Sequence, residues 1–247
     1  MLISGCKGDV TPHSAEVESE IIKSVLISEI DIAKSGTFTG HVMLEKYNFP
    51  IKYAISLPEI AQEESVPLVI ALHFSGGEGL PFLERLVIPG LSELNAIIIA
   101  PTAPDGSDWT LTRTTDMIAE LVELAILNWP VNPDKVVVVG YSMGGFGAWD
   151  LMSSHPELFS AAIPIASSPR DWIDTISTEV PIYAIHPELD ESITLDRVKD
   201  EIQQLKDREV NVQLVVANGT DHYDFDLMIS YLYETMDWLK YTVWADL

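Results

Sequence analysis

The chain has 247 residues, 47 % of them hydrophobic, and strand-like runs alternate with helical ones, enough to bury a large α/β core without a second domain. Asp and Glu number 38 against 14 Lys and Arg, a formal net charge of −24 at pH 7. A field of that sign repels phosphate backbones and anionic lipid surfaces, which argues against a nucleic-acid-binding role.

Cys6 is the only cysteine, so no intrachain disulfide can form. Its setting, LISGCKGD, resembles the lipobox that closes a bacterial lipoprotein signal, with Cys6 as the residue that would carry a lipid anchor. Only five residues precede it, whereas a secretory signal has an apolar core of about 7–15 residues. Two readings stand open: an exported lipoprotein whose signal is truncated here, or a leader on a cytoplasmic protein with a chance match. Residues 7–19 are polar and irregular, so residues 1–19 read as a disordered leader or tether and 20–247 as one catalytic domain. No run approaches the roughly 18 apolar residues of a transmembrane span.

From residue 20, IIKSVLISEIDI satisfies neither the strand nor the helix period cleanly. After GTFTG, the segments HVMLEKY and IKYAISLP predict an antiparallel pair. PLVIALH, AIIIAP and KVVVVG then predict buried parallel strands, with TTDMIAELVELAILNW as a helix that Pro130 ends. Further strands are expected at SAAIPIAS, VPIYAIH and VNVQLVVA, with a helix over LDRVKDEIQQLKDR and a closing helix over FDLMISYLYETMDWLKY. This alternation predicts a mostly parallel sheet covered by helices on both faces, with right-handed crossovers.

The chemistry centres on KVVVVGYSMGGFGAWDLM, residues 135–152. Four valines suit a strand buried on both faces and ending at Gly140, and the residues beyond Ser142 fall at helical spacing. G-Y-S-M-G is therefore a G-x-S-x-G pattern at a sharp strand-to-helix turn, where Gly140 and Gly144 leave room for the backbone and Ser142 projects above the sheet edge. A serine hydroxyl needs a base to take its proton and a carboxylate to orient that base.

Working residues in such sheets sit beyond the carboxyl ends of the strands. Of six histidines, His13 lies in the tether, His41 in an early strand, and His155 in S-H-P-E suits helix capping. His73 and His186 end strands and remain possible. His222, between the last strand and the last helix, satisfies the chain order serine, acid, histidine. The acid is Asp190, on the loop after IYAIH, with Glu188 and Glu191 as weaker alternatives.

Over residues 45–240 the sequence resembles the α/β-hydrolase superfamily, specifically its small serine carboxylesterases of the phospholipase/carboxylesterase, feruloyl-esterase and polyhydroxybutyrate-depolymerase-like group. PLVIALHFSGG is similar to the strand that ends in H-G-x-G, GYSMGG to the nucleophile turn, HPELD to the acid loop H-G-x-x-D, and GTDH to the closing G-x-x-H. Phe74 and Pro187 replace the glycines that follow His73 and His186. The resemblance implies an acyl-enzyme esterase, probing carboxylic esters of small acyl or aryl type. It places the oxyanion donors at the amides of Met143 and Ser75, with Phe74 as the alternative to Ser75. Phe74 is either a pocket wall or a packed core ring.

Trp109 and Trp172, on loops expected at the same face, are candidates to line an acyl or aryl pocket. Only SPRDWIDTISTE separates two of the strands, too little for a lid domain. No metal-ligating cluster and no G-x-G-x-x-G after a strand is present, so no metal and no cofactor is expected. The competing functions are a peptidase of the same fold and a noncatalytic binding member.

Overall fold

The computed structural model describes residues 34–44, 49–61, 64–104 and 108–247. The leader, Cys6 and the ambiguous segment at 21–32 lie outside the described residues. Eight strands form one sheet in the order β1-β2-β4-β3-β5-β6-β7-β8. β1 (Gly36–Leu44) pairs antiparallel with β2 (Phe49–Leu57), which pairs antiparallel with β4 (Ile97–Pro101). The rest is parallel: β3 (Val66–Leu72) lies between β4 and β5 (Val131–Tyr141), followed by β6 (Ala161–Ile165), β7 (Ile182–Pro187) and β8 (Val212–Ala217).

The helices are α1 (residues 79–90), α2 (Thr112–Asn128), α3 (Met143–Ser154), α4 (Leu195–Asp207) and α5 (Met228–Trp238). In α1 two short α-helical pieces flank a π turn, Leu83–Val87. Among the described residues no helix is long and apolar enough to cross a membrane.

The four valines show why the second half of β5 is apolar. Val136 and Val138 pack into one core with α2, α3 and α4, while Val137 and Val139 pack into the other with α1 and α5. With side chains alternating between two covered faces, each position gains about 1.5–3 kcal/mol by leaving water. Val69 and Ala71 of β3 face the α1–α5 side, and Leu68, Ile70 and Leu72 face the other.

Two strand limits differ from expectation. GTFTG is the first half of β1, which the sequence reading began only at His41; Gly40 lies opposite Tyr53, whose ring passes where a Cβ would stand. β5 runs one residue past Gly140, because Tyr141 still pairs with Ile165 of β6. The link from β6 to β7 holds only a 3₁₀ turn, Arg170–Trp172, and no large lid covers the carboxyl ends of the strands.

Candidate active site

Ser142 stands between β5 and α3 with φ 52° and ψ −111°, a conformation L-residues adopt at a cost of about 1–3 kcal/mol. The fold compels it. The Ser142 amide donates to Ile165 O (2.9 Å) and its carbonyl accepts from the Phe146 amide (3.0 Å), so strand pairing and helix start leave this one residue to absorb the reversal. A Cβ at Gly140 would collide with Gly144 O, and one at Gly144 with Leu72 O. Only glycine permits the helix to descend this close to β3 and β5.

Loops after β5, β7 and β8 meet above this turn. His222 Nε2 lies 2.9 Å from Ser142 Oγ, and His222 Nδ1 lies 2.6 Å from Asp190 Oδ2. A carboxylate only accepts, so the Nδ1–H donates to Asp190 and the Nε2 lone pair faces the serine hydroxyl. Asp190 Oδ1 accepts the amides of Ser192 (2.9 Å) and Ile193 (2.8 Å). Burial alone would raise the Asp190 carboxyl, but the bonds from His222 and Ile193 and the neighbouring histidines outweigh it and hold it below the ordinary carboxylate range. The Tyr141 hydroxyl donates to His222 O (2.9 Å), fixing the backbone that carries the ring. Burial, reinforced by Asp190, Asp221 and Asp224, pushes that phenol upward, so it stays a neutral donor.

The other histidines do structural work. His73 donates from Nδ1 to Phe74 O (2.7 Å) and accepts the Ala103 amide at Nε2 (3.0 Å); burial lowers its pKa and keeps it neutral. His186 is fully buried and donates from Nε2 to Ile193 O (2.7 Å), and burial lowers its pKa too. His155 caps α3 and lies 3.0 Å from Asp116, as its S-H-P-E context suggests. Neither alternative acid takes the relay: Glu188 accepts the Gly219 amide (2.7 Å), and Glu191 lies on the exposed side of the loop.

Beside Ser142 opens a cavity of about 380 Å³. Phe74 and Ser75 enter it from the loop after β3, Tyr141 from the end of β5, and Ser192 from the acid loop. Arg85 of α1, Tyr223 and Phe225 complete it. Phe74 proves to be both wall and packed ring, meeting Phe82, Tyr141 and Phe225 edge-on at centroid distances of 6.5, 6.3 and 5.3 Å.

Both tryptophan expectations need correction. Trp109 is 1 % exposed, and its Nε1 donates to His73 O (2.8 Å), so it props the loop from behind and meets no substrate. Trp172 is half-buried against the core on the α2–α4 side, hydrogen-bonded to Asp150 of α3, and is not part of the cavity. Burial raises that Asp150 carboxyl to about 6. The sequence reading missed Arg85, Tyr141 and Phe225. Tyr141 had a usable signal, its place next to Ser142; Arg85 and Phe225 are 140 residues apart and had none.

Residues 105–225 match the Dienelactone hydrolase family. Solved structures share the architecture: a thermostable esterase superposes with a TM-score of 0.71 at 20 % identity, covering 82 % of this chain and 62 % of that one. The chain shares the α/β-hydrolase fold of these structures. Among curated relatives, Protein usf of Aquifex pyrophilus is 32 % identical over 92 residues, 37 % of this chain and 40 % of that protein. A putative carboxymethylenebutenolidase of Aquifex aeolicus is 32 % identical over 91 residues, 36 % of this chain and 39 % of that protein. The matches thus span about two fifths of the length of these relatives.

Proposed function

We propose that this α/β-hydrolase is a serine carboxylesterase that cleaves small acyl or aryl esters through an acyl-enzyme. The observation that carries the reading is the unbroken relay from Asp190 through His222 to Ser142, with bonds of 2.6 and 2.9 Å, ending on a serine held at positive φ beside a cavity. Names given to its relatives and structural neighbours, an esterase and a putative carboxymethylenebutenolidase, are of the same chemical class.

In the proposed cycle Ser142 Oγ attacks the ester carbonyl while His222 Nε2 takes the hydroxyl proton. Asp190 stabilises the imidazolium without itself becoming protonated. The carbonyl oxygen becomes an oxyanion near the Met143 amide, first in α3 and without an intrahelical acceptor, and near the amide of Ser75 or Phe74. One preorganised donor of this kind stabilises the transition state by about 3–4 kcal/mol. Collapse of the tetrahedral adduct breaks the ester C–O bond, and the departing alcohol takes the proton from His222. Water then attacks the acyl-serine with the same base, and the acid leaves.

Rates on short- and long-chain p-nitrophenyl esters, read beside aminopeptide substrates, test the proposal and separate it from a peptidase. Ester turnover is expected, and Ser142→Ala should lower it about 10⁶-fold. His222→Ala should be almost as damaging and His155→Ala nearly silent. Retention of a tenth of the activity in Ser142→Ala would overturn the assignment.

A further inference from the structure

Among the described residues Arg85 is the one arginine or lysine on the cavity beside Ser142, and a lone guanidinium there would ordinarily be taken for an anion receptor. Its surroundings argue otherwise. Arg85 Nη2 donates to both carboxylate oxygens of Asp226, at 2.9 and 3.1 Å, and its guanidinium carbon lies 5.3 Å from the centre of the Phe225 ring. The cation is thus held between an acid and an aromatic face, and its charge is met before any substrate arrives. The segment that supplies His222 adds Asp221 and Asp224, both of which raise the Tyr141 phenol in the cavity wall. Phe74, Tyr141 and Phe225 form the remaining wall as interlocked rings. A carboxylate entering this space would meet a guanidinium whose charge is already balanced by Asp226, with Asp221 and Asp224 close enough to act on Tyr141, while an uncharged ring would meet edges and faces of other rings.

We propose that this site selects uncharged aryl esters over carboxylate-bearing ones, and that Asp226 sets the selection by occupying Arg85. The inference rests on the esterase reading. It makes Asp226 a specificity-determining residue outside the relay. Both partners of the pair are more than half exposed, so the field is partly screened and the effect on rate is a moderate one.

Phenyl acetate and 4-carboxyphenyl acetate provide the test, with each kcat/KM divided by that ester's rate of hydrolysis by hydroxide to remove intrinsic reactivity. The wild-type chain should favour phenyl acetate at least tenfold. Asp226→Asn frees Arg85 and should narrow the preference at least threefold through faster turnover of the carboxylated ester. Arg85→Gln leaves the Asp226 charge unbalanced beside the cavity and should widen the preference. Asp134→Asn removes one charge from β5 at the opposite end of the sheet and should leave the ratio unchanged. A wild-type ratio near one or reversed, an unchanged ratio in Asp226→Asn, or an equal shift in Asp134→Asn would each overturn the proposal. Turnover of neither ester would instead remove the esterase reading on which it stands, whereas phenyl acetate turnover without selection removes the inference alone.

Discussion

Two loops beside Ser142 are built alike and held differently. One begins at His73–Phe74, just past β3, and the other at His186–Pro187, the end of β7, each with a bulkier residue in place of a glycine and each with a buried, neutral histidine at the strand end. The β3 loop is pinned to its surroundings. His73 uses both ring nitrogens, one on Phe74 O and one on the Ala103 amide from the loop after β4, and its carbonyl takes the Trp109 indole. The β7 loop is organised around its own carboxylate and tied to the loop after β8: His186 reaches Ile193 O, Asp190 takes the amides of Ser192 and Ile193, the Leu189 amide donates to Thr220 O (2.8 Å), and Glu188 accepts the Gly219 amide. A loop that presents a carboxylate can let that carboxylate organise it.

The comparison breaks most visibly at the acid. Asp190→Asn keeps the shape but puts an amide where His222 Nδ1–H needs an acceptor, so the ring turns to the wrong tautomer. A fall in kcat of about 10⁴-fold is expected, by analogy with an acid-to-amide change in other serine triads. Steady-state kinetics on a p-nitrophenyl ester measures it. A loss under tenfold would show that the acid loop does not orient the base.

For the β3 loop the expected effect is smaller and of another kind. His73→Phe fills the space but deletes the donor to Phe74 O and strands the Ala103 amide. If the loop serves the oxyanion, kcat should fall about 10- to 100-fold with KM nearly constant, because such donors act mainly on the transition state. A fall in melting temperature with kcat preserved would mean that His73 supports only the fold.

The relay was legible in the sequence because each member is punctuated locally. The valine run marks β5, glycines frame Ser142, and Asp190 and His222 lie just past apolar strands in the order a parallel sheet requires. The wall was not legible. Arg85 and Phe225 meet through tertiary packing, and Arg85 sits in α1, where Pro81, Pro89 and a π turn blur the helical period. Trp109 and Trp172 misled for a related reason: their loops do approach the catalytic face, but sequence position says nothing about side-chain direction, and both rings turn toward protein.

His186 gives the last and smallest effect, and it sharpens the contrast through pH. His186→Leu deletes the donor to Ile193 O, a loss of about 1–3 kcal/mol in stability. Catalysis should change only a few-fold, because both amide bonds to Asp190 remain. Burial depresses the His186 pKa, so the folded chain keeps the ring neutral while the unfolded chain takes up a proton below about pH 6.5. The stability contributed by the neutral ring is therefore full above that pH and is lost as pH falls toward the depressed folded value. The gap between wild type and His186→Leu should be widest near pH 8 and shrink below pH 6.5 by up to about 1.4 kcal/mol per pH unit. His73, with the same depression, and Asp150, which titrates in the opposite sense near pH 6, are present in both chains and cancel in the difference. Urea midpoints at pH 8, 6.5 and 5 provide the measurement. A gap that stays constant across them would mean that His186 carries the same charge folded and unfolded, and that the acid loop is not held by a neutral ring.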